Sequence, residues 1–347
     1  MKMRDDNEIF GIIEFIDENH SDLILSVNEY LYNGSHGIIY IFTTDSIFKR
    51  LKEISRKTSN HIVAENIVII DINKPLKSFN QIKKLNINTL YINSAYFNFF
   101  DIKKNMLLLL LFLLDAKIYL SVHNINDTVD PKSNTPLDSL VNIMKKISVK
   151  KAHGFVVLNV AKKNYLEKLI NKEIIVIPFK IPIKEEFLKN CKRNQMKKTI
   201  VIPGGIEERR RNYSQLLFLL GRVLEKRNDL KFIFLGKNSS AKDRFDIVNF
   251  KQKNNENIKL FDDYIDQEEY DSYMINADFI LAPLQRKIKM GATIEYYGET
   301  KASGAEFDAY KYQNKLIIPS FYRINNEEID VTYYNDYNEL YDIFLKI

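Results

Sequence analysis

Only one cysteine, Cys191, occurs among the 347 residues, so an intramolecular disulfide is excluded and a cysteine-based metal cluster is implausible. That usage fits a reducing compartment. Tryptophan is absent, and 20 tyrosines and 22 phenylalanines carry the aromatic load. No long apolar segment exists either. The longest run, Met106 to Leu114, has nine residues, against the ~20 of a spanning helix. It is expected to belong to a fully buried helix, with a lipid-facing side as the lesser alternative. Met1 to Glu8 is polar and charged and lacks the apolar core of a signal peptide, which sets a cytoplasmic location as the expectation.

Charge of one sign does not dominate. Lys+Arg is 51 against 45 for Asp+Glu, a formal net charge of +6. No RNP-type, homeodomain or zinc-finger pattern accompanies it, so nucleic acid is not expected as a partner. An anionic substrate or an anionic membrane surface remains compatible with it. Several signatures of catalysis are also missing: GxxxxGK[ST], GxGxxG, GxSxG and HExxH. With no paired histidines, no metal and no cofactor are expected. Cys191 falls in a presumed hinge and offers no Cys–His nucleophile pair. Glu268 and Glu269 sit at a helix start, where the dipole accounts for them.

What is present is alternation. A 45% hydrophobic content excludes disorder, and the length suggests two domains of ~150 residues. Apolar runs at Ile9–Ile16, Ile38–Thr43, Ile67–Ile70, Thr89–Asn93, Lys117–Val122, Gly154–Leu158 and Ile174–Ile177 read as strands. Between them lie helical patterns such as Ser21–Tyr32, Ser46–Arg56 and Leu137–Val149. A lysine-rich stretch, Lys180–Lys198, carries no strand signal and reads as the hinge. Strands then resume at Thr199–Pro203, Lys231–Leu235, Asn257–Phe261, Phe279–Ala282 and Lys315–Ile318, with helices at Tyr213–Arg227, Glu268–Ala277, Ser303–Tyr312 and Asp336–Lys346. The expected fold is α/β, two doubly wound Rossmann-like domains facing across a cleft. Their bounds are 1–181 and 182–330, with 331–347 a helix crossing back to the first domain.

Three segments could carry chemistry. In Pro203–Tyr213 (PGGIEERRRNY), glycines follow a strand and Arg209, Arg210 and Arg211 precede a helix. Glycine lets backbone approach a ligand, and guanidinium groups fork onto phosphate oxygens. Such strand-end loops are where α/β sheets bind ligands. In Tyr296–Ala309 (YYGETKASGAEFDA), Ser303 and Glu306 form a capping-box pattern, so a helix should start at Gly304. Its free N–H groups make an anion site, with Lys301 adding charge upstream and Asp308 one turn in. The third set is histidine. His20 follows the first strand and His123 ends another, both at strand ends, whereas His36 and His61 look peripheral.

On these residues the second half resembles the donor domain of GT-B glycosyltransferases of the family-4 group. The likeness runs through Thr199–Pro203 with Gly205 and Arg209–Tyr213, then FIFLG (232–236), Asn257–Leu284 and Tyr297–Pro319. Gly154–Pro178 adds the run before the hinge. The YGxTKxSG variant resembles a bacterial surface-glycan subgroup. The resemblance implies that Asp308 holds the nucleotide ribose, that Ser303, Gly304 and Ala305 present N–H groups to a diphosphate, and that one of Arg209–Arg211 supplies the basic contact. The group's paired glutamates, with seven residues between them, are altered here. Asp308 takes the second position, Thr300 the first by spacing, and Glu299, one residue early, is the candidate sugar contact.

The implied activity is sugar transfer from a nucleotide-diphosphate sugar, UDP- or GDP-linked, to a glycan or lipid-linked acceptor, retaining and metal-independent, in polysaccharide biosynthesis. His20 or His123 would orient or deprotonate the acceptor hydroxyl. The alternatives are an inactive GT-B-like scaffold subunit, and an epimerase or phosphorylase on the same architecture. Lys145–Lys146 and Lys150–Lys151 flank a helix of the acceptor half and suggest peripheral contact with the inner face of the membrane.

Overall fold

Residues 8–16, 20–34, 37–59, 66–191, 197–237, 241–261, 263 and 265–347 are described by a computed structural model, with backbone alone at 190, 191 and 241–245. His36 and His61 lie outside them. The chain divides into two units. One comprises Met1–Ile181 with Lys289–Glu295, and the other Pro182–Ile288 with Tyr296–Ile347.

The first unit opens with β1 (Ile9–Glu14), α1 (Ser21–Gly34), β2 (Ile38–Thr43), α2 (Asp45–Lys57) and β3 (Ile67–Ile69). It continues through α3 (Pro75–Lys83), β4 (Thr89–Ile92), α4 (Ile102–Leu111), β5 (Lys117–Ser121) and the short α5 (Ile125–Val129). It ends with α6 (Pro136–Lys151), β6 (Gly154–Val157), α7 (Val160–Leu166) and β7 (Glu173–Val176). The strands form one parallel sheet in the order β3-β2-β1-β4-β5-β6-β7. β4 and β6 are buried at every residue, as expected for a parallel sheet covered on both faces.

The second unit begins with α8 (Glu185–Cys191), β8 (Lys198–Pro203), α9 (Tyr213–Leu224), β9 (Leu230–Leu235), α10 (Ala241–Lys253) and β10 (Ile258–Lys259). Then come α11 (Gln267–Ile275), β11 (Phe279–Leu281), β12 (Lys287–Met290) and β13 (Thr293–Tyr296). α12 (Gly304–Tyr312), β14 (Lys315–Pro319), β15 (Val331–Tyr334) and α13 (Tyr337–Lys346) complete the chain. Its parallel sheet runs β10-β9-β8-β11-β14-β15. In each unit the chain winds outward from its first strand to the third, then returns to place the fourth on the first strand's other side. Each sheet therefore has a switch point, β1/β4 in one and β8/β11 in the other, where loops leave in opposite directions and open a crevice.

Two expectations are corrected, and two further segments hold elements the sequence reading did not name. The run Met106–Leu114 is not wholly buried. Leu107, Leu108 and Leu111 are buried, while Met106 and Leu113 face outward, because α4 is one layer thick with the sheet on one side only. Lys180–Lys198 contains the helix α8. Between β11 and α12 lies a hairpin, β12–β13, whose residues 289–295 belong to the first unit. There Glu295 is buried, and its Oε1 accepts the Asp127 N–H at 2.7 Å in the first turn of α5.

The last helix does not cross back. Leu340 and Phe344 of α13 are buried in the second unit's core with Leu216, Leu220 and Phe232. Arg227 adds a clasp. Its Nη1 donates to the Phe344 and Leu345 carbonyls, its Nη2 donates to that of Ile347, and it forks onto Asp229 at 2.7 and 2.8 Å. A cation on the last carbonyls of a helix opposes the negative end of its dipole. Apolar burial plus this clasp holds α13 in place.

Candidate functional site

At the second switch point β8 runs into Gly204, whose φ of 92° suits glycine. A Cβ there would lie 2.9 Å from the Arg211 guanidinium. The conformational demand therefore falls on Gly204. Gly205, the glycine of the sequence expectation, would meet only ordinary contacts.

The three arginines part company here. Arg211 is only 7% exposed, and donates from Nη1 to the Gly205 carbonyl at 2.8 Å and from Nη2 to that of Pro203 at 2.6 Å. It staples the loop. Arg209 is exposed and its Nε bonds Glu207 Oε2 at 2.5 Å. Arg210 lies between, one-third exposed, with Nε 3.2 Å from the same oxygen but in no hydrogen bond with it. Arg210 and Arg211 each leave their Nε without a hydrogen bond, and of these two only Arg210 is partly exposed.

α9 offers no anion cradle. Glu208 accepts from the Tyr213 and Ser214 N–H groups, and Asn212 from that of Gln215. The chain after β11 ties the arginine loop to the next segment, because the Gln285 N–H donates to the Arg210 carbonyl and its Nε2 to that of Glu208. A tight turn follows at Tyr296–Lys301, with Gly298 at φ 86° and Thr300 buried, its Oγ1 accepting from Tyr296 N. The arginines oppose the rise that burial imposes on the Tyr297 phenol, so this turn lies within their field. Glu299 forms an ion pair with Arg286 at 3.1 Å. Lys301 holds its ammonium 6.0 Å above the Tyr297 ring.

α12 starts at Gly304, as Ser303 predicts, but its capping is relayed. Ser303 Oγ accepts from Ala305 N, the Ser303 N–H donates to the Tyr322 hydroxyl, and that hydroxyl donates to Glu306 at 2.6 Å. Gly304 is exposed and faces open space, while Ala305 is buried. One turn on, Asp308 Oδ2 accepts from the Tyr270 hydroxyl at 2.9 Å. Burial, reinforced by Asp308, pushes the Tyr270 phenol well above its usual range, so it stays a donor.

The first switch point carries different groups. His20 and His123 come together with ring centroids 4.6 Å apart. His20 Nδ1 is 2.7 Å from Ser94 Oγ, and His123 Nε2 is 3.0 Å from the Asn93 carbonyl. Beneath them Glu14, 1% exposed, accepts from Ile16 N and from Asn93 Nδ2. The same amide nitrogen also donates to the His20 carbonyl. Glu14 escaped the sequence reading, although a lone carboxylate ending the apolar run IFGII was a usable signal. Tyr270 and Tyr322 gave none. Among the described residues no cluster of His, Cys, Asp or Glu is arranged to hold a metal ion.

The two parallel sheets, wound alike, give the chain the two-domain Rossmann-like architecture of the GT-B fold. The sequence matches no protein-family model and no curated protein. Among solved structures it is similar to a glycosyltransferase from Rickettsia africae at 14% identity and a TM-score of 0.58, over 98% of this chain and 89% of the other. It is similar to the catalytic domain of starch synthase IV from Arabidopsis thaliana, bound to ADP and acarbose, at 9% identity and 0.58, over 98% and 92%. A putative UDP-N-acetylglucosamine 2-epimerase from Listeria monocytogenes aligns at 11% and 0.55, over 98% and 87%. At such identities the likeness is one of fold.

Proposed function

We propose that the chain is a glycosyltransferase that moves a sugar from a nucleotide-diphosphate donor, UDP- or GDP-linked, to the hydroxyl of a glycan or lipid-linked acceptor. The carrying observation is the gathering of an under-used guanidinium, Arg210, with the Tyr296–Lys301 turn in one unit, tied through Gln285. The bond between the anomeric carbon and the diphosphate breaks, so the protein must stabilise the leaving charge. Arg210, Lys301 and the N–H groups at Ser303–Ala305 are suited to that. Asp308, oriented by Tyr270, would accept from the ribose hydroxyls. Glu299 would contact the sugar, in competition with Arg286.

The new bond forms to the acceptor oxygen, whose proton His20 or His123 would take. Retention of configuration without a metal follows from the family-4 resemblance. We place the reaction in the cytoplasm, at the inner face of the membrane. The resemblance of the fold to an epimerase keeps a second reading, in which nucleotide is released from nucleotide-sugar without any acceptor.

A nucleotide-sugar turnover screen with product analysis tests both readings. Transfer or donor hydrolysis abolished in Asp308→Ala and lowered at least tenfold in Arg210→Ala is the expected outcome. Wild-type rates in both variants would sink the site. No binding of any nucleotide diphosphate by calorimetry would favour a scaffold subunit.

A further inference from the structure

We propose that the outer face of α4 and α6 in the first unit docks on an anionic lipid bilayer. This deepens the membrane-contact part of the proposed function and is independent of its donor chemistry. α6 is inside out. Its buried positions include Asn142 and Ser148, while Leu140, Ile143 and Ile147 are exposed. At 100° per residue these three fall on one stripe. On α4, Ile102, Met106 and Leu109, spaced i, i+4, i+7, form a second stripe, and Ile102 is 74% exposed. Leu140 and Ile147 of the first stripe and the whole of the second line one open apolar groove of about 670 Å³, and Ile143 stands exposed beside them on α6. Phe100, just before α4, is 83% exposed. Contiguous exposed apolar surface of this kind marks an interaction site.

Charge chooses the occupant. Lys146 and Lys150 follow the α6 stripe along one flank, and Lys151 lines the end of the groove, all exposed. Lys103 stands exposed on α4. The nearby acids sit at the ends of the elements. Asp138 closes the α6 capping box, Asp101 lies 4.0 Å from Lys104, and Asp115 follows α4. Lys145, part of the sequence expectation, faces inward on Asp127 at 2.7 Å and is not available. Apolar side chains beside a row of lysines match acyl chains beneath anionic headgroups. A second copy of the chain suits the face less well, because a two-fold contact sets a patch against itself and the lysine row against its own image.

Flotation of the whole protein tests this, using phosphatidylglycerol–phosphatidylcholine vesicles against pure phosphatidylcholine at low and at physiological salt. Preference for the anionic vesicles is expected, weakened by salt. Lys146→Ala, Lys150→Ala and Lys151→Ala should each lower binding about fivefold, as for one surface lysine near anionic lipid. The double variant Ile143→Glu, Ile147→Glu should lower it at least tenfold, with an unchanged melting curve because both side chains are exposed. Binding by that double variant equal to wild type would overturn this face and leave membrane contact standing. Absence of wild-type binding to any vesicle would overturn both. A concentration-dependent dimer broken by the same variant would replace the bilayer with a second copy.

Discussion

One winding is used twice in this chain, and the two switch points it creates are filled with opposite chemistry. At β1/β4 the polar groups are a buried carboxylate, an amide, a hydroxyl and two imidazoles: Glu14, Asn93, Ser94, His20 and His123. At β8/β11 they are guanidinium groups, and one of these, Arg211, serves the backbone rather than a ligand. Parallel winding supplies a crevice at a fixed place and is indifferent to its content. The residues that end β1 and β8 decide whether it can handle a hydroxyl proton or an anion. The sheet topology alone could not have told the two ends apart.

Removing the innermost group from each crevice challenges this contrast most severely. Arg211→Ala strips partners from the Pro203 and Gly205 carbonyls, each worth ~1–3 kcal/mol when left unsatisfied. A loss of about 3–5 kcal/mol is expected by urea unfolding. Arg211→Lys should recover only part, since one ammonium cannot fork onto both carbonyls. At the first switch point Glu14→Ala orphans Ile16 N and leaves Asn93 Nδ2 with the His20 carbonyl alone, and a loss of about 1–3 kcal/mol follows. A stable Glu14→Ala protein with unchanged histidine resonances would erase the distinction between the two crevices.

How far these features can be read from sequence depends on burial. Runs such as IVII at 67–70 and FVVL at 155–158 betray themselves because a doubly covered strand must be apolar throughout. β15 (VTYY) and the hairpin strands β12 (KIKM) and β13 (TIEY) are four residues each, with mixed polarity, and do not stand out from loops. α6 misleads in a different way. Its period is plain, but which face is buried is set by neighbours, and here that face carries Asn142 and Ser148. In Pro203–Tyr213, three consecutive arginines set the expectation of an anion-binding loop. Their division of labour depends on Gly204 and Glu207 in space and could not be read from order alone. The place of Asp308 after Ser303 singles it out as a candidate, whereas its hydrogen-bond partner Tyr270, 38 residues upstream, gives no signal in the sequence.

A gentler probe asks which arginine gives the second crevice its chemistry. Charge-assisted hydrogen bonds contribute ~1.5–3 kcal/mol, so Arg210→Ala should weaken nucleoside-diphosphate binding at least tenfold by calorimetry. Stability should move by less than about 0.5 kcal/mol, as for a surface change. Arg209→Ala, whose partner is Glu207 at the exposed rim, should change affinity by less than about threefold, the range of a solvated ion pair. Equal losses in both would mean that the loop acts as diffuse charge, and the contrast with the first switch point would reduce to net charge.

The smallest expected effect lies away from both crevices, at the clasp that closes the second unit alone. The Arg227 guanidinium beside Asp229 holds its carboxyl down to about 2, chiefly through the hydrogen bonds between them. A carboxylate that is harder to protonate folded than unfolded, where ~3.9 is usual, stabilises the fold above the unfolded value. That contribution fades as pH falls through the folded one. Asp229 is half exposed, so the pair is worth only ~0–1 kcal/mol. Melting temperatures of wild type and Asp229→Asn should therefore differ slightly and constantly from pH 7 down to about 4, then converge toward pH 2. A gap that persists unchanged to pH 2 would mean that the charge on Asp229 adds nothing and that the Arg227 bonds to the last carbonyls close the clasp without it.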